Sequence, residues 1–250
     1  MKGNKRIVLA GWFLLIGINL ISLWNRMVIL EQEQDEFRML KLTKEYSSEG
    51  LSLLENDLIN KSSTSGGEQA LQYEALIQKN PDFAGWINIP GTSIDYPVMQ
   101  SASDREYYLH RNFNRENSYS GIPFVGEGDL NTEGDVSIYG HNMKNGTMFA
   151  DLLKYREQKY SKNHPVIELE TLRGSREYAV VYAFYATEQD WMDQSGIFQM
   201  PNRTKFICEM ESRSLYNISR EITEKDKFIF LITCSYQEDN GRFVVVGVLK

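Results

Sequence analysis

A mostly antiparallel β-barrel or β-sandwich is the fold class that this sequence predicts, and two observations carry the prediction. From Gly85 onward, short runs of β-branched and aromatic residues recur between glycine, proline, asparagine and aspartate, a pattern typical of strands joined by turns. The chain has 250 residues, of which 42% are hydrophobic, so one domain can bury a sizeable core. The expected strands lie at residues 86–89, 94–98, 122–125, 136–139, 166–169, 178–185, 228–233 and 243–249.

Helices are expected before the strands and between them. Residues 28–60 place leucines among many charges, which predicts a helix. The polar, Gly/Ser-rich stretch 61–68 predicts a flexible break, and a second short helix should end at Asn80, because proline follows it. Two helical insertions are expected within the β-rich part, at residues 146–155 and around Cys208.

The first residues predict a membrane anchor. Two lysines and an arginine precede an uncharged apolar run at residues 7–24, which is marginally long enough for a bilayer span of about 17–25 residues. A cleaved signal peptide begins in the same way, but no alanine occurs between Ala10 and Ala70 to form a small cleavage site. A retained, single-pass signal anchor in the cell membrane is therefore favoured. Its N-terminus would be cytoplasmic and the rest of the chain extracytoplasmic, because basic residues stay inside.

These features divide the chain into three segments and limit the classes of partner that it is expected to bind. Residues 1–27 would hold the anchor, 28–68 a helical stalk with a linker, and 69–250 the β-rich domain that carries the candidate site. The net charge is -7, and no basic block occurs along the chain. Nucleic acid is therefore not an expected partner, because nucleic-acid-binding proteins present a face rich in lysine and arginine.

Two cysteines in an exported chain raise the question of a disulfide. Cys208 follows Phe206 and precedes Met210 in a segment that predicts a buried helical stripe, where cysteine acts as a small apolar residue. Cys234 instead ends the apolar run 228–234 and precedes a polar stretch. That position holds a reactive group rigidly at a strand end and leaves it open to substrate. Two free thiols are favoured over a bridge.

His141 is the candidate acid/base partner of Cys234. It follows the predicted strand 136–139, whereas His110 and His164 are expected to be structural or solvated. A neighbouring imidazole can take the thiol proton, the thiolate can attack a peptide carbonyl, and the imidazolium can protonate the departing amine. A papain-like protease or another exported thiol hydrolase would use the same pair, so the residues alone leave the activity open.

Arg242 is the third candidate. It opens the last predicted strand, and if the chain turns near Gly241, the last two strands pair and bring Arg242 close to Cys234. Its guanidinium could hold an oxyanion or the backbone carbonyls of a substrate. The residues alone do not decide between these two roles.

An ordered set of segments runs from about Asn80 to the C-terminus. The segments are Gly85-Trp86-Ile87, Ile94-Asp95-Tyr96-Pro97-Val98, Tyr107-Tyr108-Leu109, Ile138-Tyr139-Gly140-His141-Asn142-Met143, Met148-Phe149, Thr233-Cys234 and Gly241-Arg242. In this ordered set the chain resembles the class B sortases of Gram-positive bacteria. The resemblance implies a closed eight-stranded sortase-type β-barrel with N-terminal helices and a helix inserted before the Cys-bearing strand.

The resemblance also implies an activity. A sortase is a cysteine transpeptidase that cuts the C-terminal sorting motif of an exported surface protein after its threonine. It holds the acyl group as a thioester and passes it to an amine of a peptidoglycan precursor or of a pilin. The implied catalytic residues are His141, Cys234 and Arg242. Asn142, Thr233, Ser235 and Tyr236, which neighbour the catalytic residues in the sequence, are the candidate substrate-binding residues. No cofactor or metal is implied, and a catalytically silent wall-binding domain is the alternative outside the enzymes.

Overall fold

The structure, a computed structural model, describes residues 2–57, 73–187, 190, 202–216, 220–235 and 241–250, with only the backbone for 2–11, 13–14 and 48–57. The chain forms two compact units, Met1–Met39 and Leu40–Lys250. Helix α1 (Lys2–Asp57) makes up the first unit and extends into the second. Within the described residues, no helix is long and apolar enough to cross a membrane. The predicted anchor at 7–24 lies partly outside the described side chains, and the predicted break at 61–68 lies entirely outside the described residues.

Eight strands close into a barrel in the second unit, which confirms the predicted fold class. The strands are β1 (Phe83–Asn88), β2 (Asp95–Met99), β3 (Phe124–Val125), β4 (Val136–Tyr139), β5 (Val166–Thr171), β6 (Gly174–Ala186), β7 (Phe228–Cys234) and β8 (Arg242–Leu249). Their order around the barrel is β1-β2-β3-β4-β7-β8-β6-β5. Most neighbours are antiparallel, but β2 pairs with β3, and β4 with β7, in parallel.

Strands β7 and β8 are buried on both faces, which explains their continuous apolar sequences. Helix α4 (Arg203–Arg213) packs against them through Phe206, Ile207 and Met210, in one apolar cluster with side chains of β6, β7 and β8. The helix predicted before the Cys-bearing strand is therefore present. The expectation that Cys208 lies in the buried stripe is wrong, because this residue is exposed. It follows Phe206 by two positions, about 200° around a helix of 3.6 residues per turn.

The remaining helices are short and lie in the connections. They are α2 (Glu74–Lys79), α3 (Gln158–Asn163) and two 3-10 helices, Tyr107–His110 and Ala150–Arg156. Asn80 caps the end of α2, as expected, and its buried amide donates to the Tyr108 hydroxyl (2.9 Å) and to the Phe113 carbonyl (2.7 Å). These bonds hold the 3-10 helix Tyr107–His110, which borders the candidate site.

Candidate active site

The parallel pairing of β4 with β7 brings His141 next to Cys234. The two chains stay paired beyond the end of β4, since the Gly140 amide donates to the Ile232 carbonyl (3.1 Å) and the Thr233 hydroxyl donates to the Gly140 carbonyl (2.7 Å). His141 and Cys234 are therefore the next residues along two chains that run side by side. Both side chains line one cavity.

Gly140 is required at the end of β4 because an aromatic ring lies against it. A Cβ atom at this position would lie 2.6 Å from the Phe149 ring, closer than side chains approach one another. The Phe149 amide in turn donates to the His141 carbonyl (2.8 Å). The backbone at Gly140 and His141 is thus held by hydrogen bonds to β7 and to the Phe149 amide.

Arg242 lies opposite Cys234. The two residues are Cα partners in the antiparallel ladder between β7 and β8. Opposite residues in such a ladder point to the same face, with Cβ atoms about 4.5–5.5 Å apart. The predicted juxtaposition is thus present, and residues 239 and 240 of the turn that was expected to cause it lie outside the described residues.

The imidazole of His141 is half-buried and oriented by a backbone group. Its Nε2 lies 2.8 Å from the Leu109 carbonyl oxygen. A carbonyl can only accept, so Nε2 carries a proton, and Nδ1 is the nitrogen that can take a second one. Burial lowers the pKa of His141, the Leu109 carbonyl raises it in part, and the charges of His110 and Arg242 lower it further.

A cavity of ≈ 530 Å³ contains all three candidate catalytic residues among its lining side chains. One wall is aromatic, since the rings of Phe124 and Tyr139 stack with centroids 5.7 Å apart and planes at 14°. The exposed ion pair between Arg105 and Glu127 (2.6 Å) also lines the cavity.

The binding roles of the four candidate substrate-binding residues stay a prediction. The Asn142 amide donates to the Cys234 carbonyl (3.1 Å), so it also aligns the two catalytic chain segments. Thr233 and Ser235 are buried, and the Ser235 amide donates to the Gly241 carbonyl (2.8 Å). Tyr236 lies outside the described residues.

Both cysteines are free, so the disulfide alternative does not apply. Cys234 is half-buried at the cavity, and Cys208 is exposed on α4. This difference in setting leaves Cys234 as the thiol that a substrate can meet inside a shaped site.

Several groups that line the cavity or contact the His141 ring were not predicted from the sequence. Tyr139 belongs to the recognised segment around His141, so a signal for it was present. Leu109 acts through its backbone carbonyl, which no residue type reveals. His110 was assigned a structural or solvated role, but its ring stacks on that of His141. His164 fits that assignment, with Nδ1 2.9 Å from the Pro90 carbonyl oxygen.

Comparisons with known proteins identify the family. The Sortase domain family matches residues 87–250, which include the whole candidate site. A sortase B of Listeria monocytogenes is 36% identical over 191 residues, covering 73% of this chain and 76% of that protein. A sortase B of Staphylococcus aureus is 32% identical over 180 residues, covering 70% of this chain and 73% of that protein.

Solved structures share the barrel. A Staphylococcus aureus sortase B–substrate complex aligns with a TM-score of 0.69 at 27% identity, covering 88% of this chain and 97% of that chain. Sortase B of Clostridium perfringens aligns with a TM-score of 0.65 at 32% identity, covering 71% of this chain and 98% of that chain.

Proposed function

This chain belongs to the sortase family and is a sortase B-type cysteine transpeptidase of the cell wall; we propose that it acts through Cys234, His141 and Arg242. It would cleave the sorting motif of an exported surface protein after threonine and transfer the protein to a cell-wall amine. The observation that carries the proposal is the convergence of these three side chains on one cavity, from β7, the end of β4 and β8.

The first half-reaction forms a thioester. The Cys234 sulfur, as thiolate, attacks the threonine carbonyl carbon, and the carbonyl oxygen becomes an oxyanion. His141, as imidazolium, gives its Nδ1 proton to the departing amine while the C–N bond breaks. The acyl group then remains bound to the Cys234 sulfur, and the C-terminal fragment of the substrate leaves.

The second half-reaction transfers the acyl group. The acceptor amine attacks the thioester carbonyl, and His141, now neutral, takes a proton from it. A new C–N bond forms, the C–S bond breaks, and Cys234 leaves as thiolate. The aromatic wall of Phe124 and Tyr139 supports transfer over hydrolysis, because it limits the access of water to the thioester.

Arg242 would stabilise the oxyanion in both half-reactions. Its ladder position opposite Cys234 places a permanent positive charge beside the carbon that the sulfur attacks. Its charge also lowers the pKa of His141, which is consistent with a guanidinium facing the reacting groups. Clamping a substrate carbonyl is the second role that the same donors can fill.

A transfer assay tests the proposal. The purified full-length chain is incubated with threonine-containing sorting-motif peptides and with triglycine, and products are identified by mass spectrometry. We expect a transpeptidation product, and a thioester-linked peptide on Cys234 when the amine is omitted. Hydrolysis alone across several amines would identify a protease, and the absence of any adduct would identify a silent wall-binding domain. Peptidoglycan stem peptides and pilin-derived lysine peptides in the same assay separate the two acceptor classes.

We further propose that residues 7–24 anchor the enzyme in the cell membrane, with the site outside. Support comes from the basic residues that precede this apolar run and from its exposed large side chains, which include Trp12, Leu20 and Trp24. The full-length chain should sediment with membranes and resist extraction by carbonate, whereas residues 28–250 should not. Recovery of the full-length chain in the supernatant would contradict the proposal.

A further inference from the structure

We propose that Asn142 is a positioning residue, which fixes the backbone of Cys234 and so holds its sulfur in place beside the His141 imidazole. The support for Asn142 comes from Tyr96 on β2, through the backbone of Met148. The inference rests on the proposed role of Cys234 as the nucleophile. It assigns Asn142 to the placement of the thiol and not to contact with the substrate.

The side chain of Asn142 bonds to the backbone of the nucleophile itself. Its Nδ2 donates to the Cys234 carbonyl oxygen (3.1 Å). At the preceding position, the Thr233 hydroxyl donates to the Gly140 carbonyl (2.7 Å). The last paired residues of β4 and β7 are Tyr139 and Ile232. Two side-chain hydrogen bonds therefore keep the two chains together beyond the point where the strand pairing ends.

Asn142 does not share the position of the other candidate residues relative to the cavity. It is half-buried, and it is not among the described residues that line the cavity with Cys234, His141 and Arg242. A substrate group bound in that cavity meets the thiol, whereas the Asn142 amide contacts the carbonyl behind it. This placement favours a role in holding the nucleophile over a role in binding the substrate.

The loop that begins at Asn142 returns to it through a residue with an unusual backbone conformation. Asn142 and Met148 form an isolated antiparallel β-bridge. Met148 has a φ of 56°, in the left-handed region that residues other than glycine seldom occupy, and its side chain is fully buried. Such a conformation persists only where the surrounding contacts impose it, and it occurs preferentially at functional sites.

Tyr96 supplies one of the contacts that hold Met148. The Met148 amide donates to the Tyr96 hydroxyl (3.1 Å), and Tyr96 is itself buried on β2. Burial raises the pKa of the Tyr96 phenol, so the group stays neutral. The next residue, Phe149, donates its amide to the His141 carbonyl (2.8 Å). The loop is thus fixed on β2, and it holds the backbones of both Cys234 and His141.

Loss of the Asn142 amide should leave the reacting groups present but less well placed. A neutral hydrogen bond of this kind contributes a factor of about 3 to 10 to an equilibrium or a rate. Displacement of a reacting group lowers the rate of the chemical step more than it weakens binding. We therefore expect kcat to fall by about 3- to 10-fold and KM to change by less than about twofold.

Asn142→Leu in the full-length enzyme tests this role, because leucine keeps the shape of the side chain and removes its donor. Alkylation of Cys234 by iodoacetamide is followed without substrate from about pH 5 to 9, in a Cys208→Ala background. We expect the midpoint of the rate to move to higher pH, because a displaced imidazolium stabilises the thiolate less. Asn145→Leu is the matched control, since Asn145 lies in the same loop and bonds to Thr147. It should change neither kcat nor the alkylation.

Tyr96→Phe tests the support from β2. Phenylalanine keeps the ring in the core and removes the hydroxyl that accepts from Met148. We expect kcat to fall in the same way but by a smaller factor. The double variant with Asn142→Leu should lose no more than Asn142→Leu alone, because both residues act through one chain of contacts. Losses that multiply, or an unchanged kcat in Tyr96→Phe, would contradict the support from Tyr96.

A rise in KM with unchanged alkylation in Asn142→Leu would identify Asn142 as a substrate contact and would overturn the proposal. Unchanged kcat and alkylation would also overturn it. The thermal unfolding midpoint, measured by circular dichroism, verifies that each variant is folded, and Asn142→Ser gives the same comparison if Asn142→Leu does not fold. If the native enzyme transferred no peptide, the proposed function would fail, while the alkylation comparison would still test this inference.

Discussion

Replacement of Cys234 by alanine is expected to abolish acyl transfer and to lower kcat by at least about 10⁴-fold. Alanine removes the sulfur that is proposed to form the thioester, while Arg242 and the other described residues that line the cavity remain. Burial of the neighbouring Thr233 and Ser235 holds the backbone in place, so the variant should fold normally. The readout is kcat for peptide transfer, with mass spectrometry for the peptide adduct.

Cys208→Ala is the matched control for that variant. Cys208 is free but exposed on α4, and it does not line the cavity. Its replacement should leave both kcat and the adduct unchanged. If Cys234→Ala retained transfer, or if the adduct mapped to Cys208, the assignment of the nucleophile would be wrong.

Replacement of His141 by glutamine should lower kcat/KM by about 10²- to 10⁴-fold, the usual contribution of a general acid/base. A glutamine amide can still donate to the Leu109 carbonyl, which accepts from Nε2 in the native enzyme. It cannot take up and release a proton between thiol and amine. The loss should therefore occur without a change in the thermal unfolding midpoint, measured by circular dichroism.

The alkylation rate of Cys234 gives a second readout of the same variant. Without the imidazole, the thiol should react with iodoacetamide more slowly at neutral pH, because less thiolate is present. His164→Gln is the control, since His164 contacts Pro90 and Tyr160 rather than the cavity. A loss of less than about tenfold in kcat/KM for His141→Gln would point to another proton carrier.

Much of the barrel could be predicted from local patterns. Each expected strand overlaps an observed one, and the end of α2 lies at Asn80, before the proline that cannot continue a helix. The parallel pairing of β4 with β7 could not be predicted this way, because residues 136–139 and 228–234 are far apart along the chain. A strand pattern shows which residues are buried and does not show which strand lies beside them.

The candidate site, like the barrel, could be predicted only in part from local sequence. Cys234 could be distinguished from Cys208 by its place at a strand end, and His141 could be distinguished from two other histidines. The contacts of His141 with Leu109 and His110 join residues roughly thirty positions apart. Neither a backbone carbonyl nor an exposed histidine in a short helix carries a local signal for such a contact.

The sequence by itself determined the strands and predicted Cys234 and His141 as the catalytic pair, because hydrophobic runs, turn residues and a thiol at a strand end are local properties. Only the tertiary structure decided that β4 lies against β7, that Arg242 lies opposite Cys234, and that the helix Tyr107–His110 orients His141. These arrangements depend on barrel closure and strand register, which arise from contacts between distant segments of the chain.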